Sequence, residues 1–160
     1  MIKRLDHISV VIRDLPAAIA FFTALGMEIE GRADVGGPVV DRLNGIQGVQ
    51  AEIVMMRTPD GHGKLELTKF RNPELVEIQP AVAPPNALGL RSVMFAVDDL
   101  DAAVERLRRE GGELVGEVVQ YEEAYKLCYM QGPGGIIVAL AEELSAGAPP
   151  RRAPTSPTPQ

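Results

Sequence analysis

The sequence predicts an α+β fold made of two βαβββ modules, and three observations carry that prediction. The chain repeats itself: with Leu5 set against Leu90, Asp14-Leu15 meets Asp99-Leu100, Ala17-Ala18 meets Ala102-Ala103, and Gly26 and Gly31 meet Gly111 and Gly116. Each copy opens with apolar residues at every second position and then changes to helical spacing. Downstream of each helical stretch, strand-like segments are joined by runs of turn formers.

Ile8, Val10 and Ile12 mark one face of the opening strand, and Val93, Phe95 and Val97 mark the same face in the second copy. Asp14 and Asp99 follow as helix N-caps, with Pro16 in the first turn, where its missing N–H is harmless. Leu15, Ile19, Phe22 and Leu25 form one apolar stripe, Leu100, Val104 and Leu107 another, and Gly26 or Gly111 supplies the left-handed stop. Residues 51–57 and 64–70 read as strands joined by the turn at 58–63. The second copy repeats this with strands at 113–121, 125–131 and 136–142, the last two joined by Gly132-Pro133-Gly134-Gly135. The segment 31–50 breaks the strand pattern and reads as a connector or a lid. Alternation puts His7 and Ser9 on the face away from the helix, and Ser92 and Met94 on the corresponding face of the second module.

With 160 residues and 46% hydrophobic content, the chain suits one domain at 1–144, with modules at about 1–72 and 88–144. Residues 145–160 are rich in proline and poor in large apolar groups, so a disordered tail is expected. A net charge of -6 argues against a nucleic-acid partner. Apolar stretches are strand-sized, so no membrane span is expected. A single cysteine, Cys128, forms no internal disulfide and fits the cytoplasm.

The phrases Leu-Asp-His-Ile-Ser-Val-Val-Ile-Arg-Asp-Leu, Lys-Leu-Glu-Leu-Thr and Gly-Pro-Gly-Gly-Ile-Ile-Val-Ala-Leu-Ala-Glu resemble the vicinal oxygen chelate superfamily. That superfamily includes glyoxalase I, methylmalonyl-CoA epimerase, extradiol dioxygenases and bleomycin resistance proteins. The resemblance implies mixed sheets forming a cup with helices outside, a homodimer, and a divalent metal held by histidine on the first strand and glutamate on the last strand of each module. His7 and Glu66 match the first module. Ser92 and Ala139 stand at the second-module positions, so half of the implied metal set is absent.

The candidate catalytic and metal-ligating residues are therefore His7 and Glu66. A histidine beside a carboxylate suits general acid-base work, and Glu66 equally reads as an ion-pair partner of Lys64 or Arg57. Candidate ligand-binding residues on the cup are Ser9, Ser92, Met94 and Ala139, with Met55 as adaptable apolar lining and Arg57 as a carboxylate partner. Tyr121, Tyr125 and Cys128, near Tyr129, gather ring faces and polar atoms around the second hairpin. The leading expectation is binding of a small organic molecule with an incomplete metal site. The alternative is a metal-dependent lyase or isomerase in which the substrate or an unusual side chain completes the metal shell. Extradiol oxygenation is disfavoured, because it needs both absent positions.

Overall fold

Both halves of the chain begin with a strand that leads directly into a capped helix. The computed structural model describes residues 1–144. Its first half contains β1 (Ile8–Val11), α1 (Leu15–Ala24), β2 (Glu28–Gly36), α2 (Pro38–Asn44), β3 (Gln50–Arg57) and β4 (Lys64–Asn72). The second half contains β5 (Ser92–Ala96), α3 (Leu100–Arg109), β6 (Val119–Tyr121), β7 (Tyr125–Gln131) and β8 (Ile137–Glu143). The side chain of Asp14 accepts a hydrogen bond from the Ala17 amide at 3.0 Å, and Asp99 accepts one from the Ala102 amide at 2.9 Å. Both helices end before a glycine at positive φ, Gly26 at 106° and Gly111 at 85°.

The fold is α+β, with two four-stranded mixed sheets ordered β1-β4-β3-β2 and β5-β8-β7-β6. In each sheet the first strand pairs in parallel with the last, and the remaining neighbours are antiparallel. Val10, Leu65, Leu67, Val54 and Met56 line one side of the first sheet with Leu15, Ala18 and Phe22 of α1. Val138, Leu140, Cys128 and Met130 line the corresponding side of the second sheet with Leu100, Val104 and Leu107 of α3. All of these belong to one buried cluster, so the halves share a core. The turn before β8 docks on β1 so closely that a Cβ on Gly134, whose φ is 68°, would lie 2.8 Å from Val10 Cγ1.

Two segments depart from the sequence expectation. Residues 31–50 hold most of β2 and all of α2. β2 pairs antiparallel with β3 around a register shift between Ile29 and Gly31, and Asp41 of α2 accepts from the amides of Gly48 and Val49 at 2.8 Å each. β2 is an exposed edge strand, so no apolar alternation is required of it. The strand expected at 113–121 is continuous only over Val119–Tyr121, and Leu114 reaches Met130 through an isolated bridge. Among the described residues no helix is long and apolar enough to cross a membrane. The expected tail, 145–160, lies outside the described residues.

Candidate functional site

β1 and β4 set Ser9 opposite Glu66 and Val11 opposite Thr68. Because Val10, Leu65 and Leu67 turn toward α1, alternation sends Ser9, Glu66 and Thr68 to the other face. There Glu66 Oε1 accepts from the hydroxyls of Ser9 and Thr68, each at 3.0 Å. Thr68 is 6% exposed, so its hydroxyl needs a partner and finds it in Glu66. Glu66 Oε2 lies 3.8 Å from His7 Nε2, beyond hydrogen-bond range. On the far side of the ring, His7 Nδ1 is 2.9 Å from Asp6 Oδ2, and Arg4 donates to Asp6 Oδ1 at 2.8 Å. Hydrogen bonds from Arg4 and then His7 lower the Asp6 carboxyl to about 2. Ionised Asp6 can only accept, so Nδ1 carries the hydrogen in this contact.

Glu66 is not ion-paired with Lys64 or Arg57. Lys64 bonds Glu30 at 2.8 Å and Arg57 bonds Glu28 at 3.4 Å. In β3 the register partner of Glu66 is Met55 and that of Thr68 is Ile53, so an apolar strip adjoins the polar cluster.

The second sheet repeats the registers with different chemistry: Met94 stands opposite Ala139, Ala96 opposite Ala141, and Tyr129 of β7 beside Ala139. Ala139 is fully buried, while Met94 is 56% and Tyr129 41% exposed. Residues 4–140 match the model of the Glyoxalase/Bleomycin resistance protein/Dioxygenase superfamily. The chain belongs to this superfamily.

Superfamily structures show the same architecture. The glyoxalase family protein APC24694 from Bacillus cereus is 48% identical and superposes with a TM-score of 0.85, covering 91% of this chain and 97% of that one. A glyoxalase family protein from Enterococcus faecalis is 20% identical, with a TM-score of 0.58 over 88% of this chain and 98% of its own. The uncharacterized protein YwbC of Bacillus subtilis strain 168 is 26% identical over 138 residues, 84% of this chain and 94% of that protein.

Among the residues singled out from the sequence, the structure of this superfamily member gathers His7, Ser9 and Glu66, with Met55 beside them and Arg57 at the end of β3. Met94 and Ala139 share the outward face of the second sheet, and Ser92 begins β5. Tyr121 and Tyr125 face each other across β6 and β7, at the outer edge of that sheet. Cys128 lies apart from the tyrosines that flank it. It pairs with Leu140, belongs to the core and is 3% exposed, because alternation places it on the opposite face from Leu127 and Tyr129. Burial pushes its thiol pKa up, which suits an inert core residue. Sequence reasoning missed Thr68 and Asp6. Thr68 had a signal, since it lies two residues beyond Glu66 and shares its face.

Proposed function

We propose that this protein binds a small organic molecule over the His7–Glu66 face, without a divalent metal. The observation that carries the reading is the fixed carboxylate: one Glu66 oxygen is held by two hydroxyls, while the other faces His7 Nε2 across 3.8 Å. A group held in this way loses little freedom when a ligand arrives. The side chains of His7 and Glu66 are 33% and 21% exposed, enough for a ligand to reach them.

The metal that the superfamily resemblance implies does not fit these residues. A catalytic zinc takes three protein ligands, and this face offers His7 and Glu66 alone. Ser92 and Ala139 occupy the equivalent second-module positions whichever copy of the chain supplies that sheet. Among the described residues, no group of three or more His, Cys, Asp or Glu side chains is placed to hold a metal ion.

The protein acts as a homodimer in this reading. Val11, Met94 and Tyr129 are large side chains left 48%, 56% and 41% exposed on the outward faces, and a second copy would cover them. A cytoplasmic setting agrees with the free, buried Cys128. A second reading, favoured by the Asp6-oriented imidazole, is a lyase or isomerase in which Glu66 takes a proton next to a carbonyl and His7 stabilises the product.

A thermal-shift panel of cationic antibiotics and small carboxylates, run in chelator, tests the binding reading. The expected result is a stabilising hit that Glu66→Gln abolishes; silence from the whole panel would overturn it. Light scattering that returned a monomer mass at micromolar concentration would remove the dimer.

A further inference from the structure

We propose that a cavity on the helix side of the first sheet, away from the His7–Glu66 face, binds a small carboxylate with an apolar body. It is a second site, and neither its place nor its chemistry depends on the binding reading above.

The cavity encloses about 710 Å³, a volume suited to a small molecule. One wall is α1, through Leu15, Pro16, Ile19, Ala20, Thr23 and Ala24. Pro16 and Thr23 are exposed, while Ile19, Ala20 and Ala24 are half-buried. α1 has no charged side chain at all. α3, its equivalent in the second half, shows an ordinary wet face, with Asp101, Glu105, Arg106, Arg108 and Arg109. The two helices share their aspartate cap and their buried stripe, so neither feature accounts for the uncharged outer side of α1.

The other wall is the sheet. Val54 and Leu67 are buried in the core beneath α1, and alternation puts Glu52 and Lys69, two residues away along β3 and β4, on the same side. Arg32 of β2 stands opposite Val54 and joins them. Arg71 engages the acidic groups of this region, pairing with Asp34 at 2.8 Å and with Glu52 at 3.0 Å. Lys69 is the register partner of Glu52, yet neither it nor Arg32 makes an ion pair or side-chain hydrogen bond among the described residues. Two cations, one from each strand beside β3, therefore border the apolar wall with their donors uncommitted. Glu110 is the remaining charged residue of the lining. It comes from the end of α3, pairs with neither cation, and also lines an adjoining recess with Asp14 and Ala17.

The donors decide the head group. Arginine and lysine offer N–H donors and no acceptor, which a carboxylate matches, and arginine can hold it through two parallel hydrogen bonds. An ammonium would be repelled by both cations and would find Glu110 alone. An alcohol would cover the α1 wall without a charge-assisted bond, and inorganic phosphate would meet the cations and leave that wall bare. A carboxylate on an apolar body uses both walls.

Octanoate, 1-octanol and octylammonium share a chain and differ in the head. Each is titrated to about 2 mM into the full-length protein, with the methyl signals of Ala20, Thr23 and Ala24 and the His7 ring followed by NMR. Octanoate is expected to bind about tenfold tighter than octanol and to move the α1 methyls while His7 stays still, with the ammonium weakest. Arg32→Gln and Lys69→Gln should each weaken octanoate about threefold and leave octanol within about twofold. Ala20→Asp, which puts a charge on the apolar wall, should weaken octanoate and octanol alike by about tenfold.

Equal binding of the three probes overturns the proposal, as does octanoate binding that ignores both cation substitutions or moves His7 instead of the α1 methyls. Silence from all three at about 2 mM overturns it as well. So would α1 methyl shifts on diluting the ligand-free protein, because a second copy of the chain would then be what covers this helix.

Discussion

In the first sheet Ser9 stands opposite Glu66 and Val11 opposite Thr68; in the second, Met94 stands opposite Ala139 and Ala96 opposite Ala141. The two sheets keep the same registers and lose the polar chemistry on one of them. On the helix side they remain alike, with Leu65 and Leu67 in β4 matched by Val138 and Leu140 in β8. The difference teaches where the constraint lies. Residues facing the helices must fill a shared core, and that requirement is the same in both halves. Residues on the outward face lie outside that shared core, and there the two sheets differ. The helices differ too. α3 carries Asp101, Glu105, Arg106, Arg108 and Arg109, whereas α1 has no charged residue, and its Phe21 ring lies against Gly112 of the other half.

The largest expected effect would break the claim that the halves share one core. Leu67→Ala and Leu140→Ala, both at fully buried positions, should each destabilise the protein by about 3 to 4 kcal/mol. Both should do so within a single calorimetric transition, and two separate transitions would show that the halves fold apart. Next is the contact between the halves at Gly134, where positive φ and the 2.8 Å approach to Val10 leave no room for a methyl group. Gly134→Ala should cost about 2 kcal/mol, read from the denaturant midpoint.

The duplicated caps sharpen the comparison at a smaller scale. Asp14→Ala and Asp99→Ala should each remove about 1 kcal/mol, and chemical denaturation showing one of them neutral would mean that the caps are alike only in geometry. The smallest effect belongs to the polar half alone. Asp6 is lowered from 3.8 to about 2 in the folded protein, so its stabilising contribution is present above the unfolded value and fades as pH falls from about 4 toward 2. Thermal melts over that range should show a small acid-dependent loss that Asp6→Asn reduces. No counterpart is expected in the second half.

Much of this fold was legible in the sequence. The repeat, both N-cap aspartates, the glycine stops and the parity of β1 and β5 appear in the structure as read, because each depends on spacing within a short segment. β2 was not legible. Exposed along nearly its whole length, it shows no alternation, and the antiparallel register with β3 defines it instead. In the candidate site, His7, Ser9 and Glu66 were legible through alternation and resemblance. Thr68 was overlooked because threonine in a strand needs no explanation until it is found buried. Cys128 was grouped with the tyrosines by proximity in sequence, while the pleat separates it from Tyr129.

By itself, then, the sequence determined that the chain contains a duplicated βαβββ unit and that its two copies disagree at the positions of Glu66 and Ala139. Only the tertiary structure decided that one Glu66 oxygen is held by Ser9 and Thr68 while the other faces His7, and that Cys128 is core. Capping and alternation are local, governed by residues a few positions apart. A hydrogen bond between side chains separated by 57 residues, as in Ser9 and Glu66, exists only once the parallel register of β1 and β4 has formed.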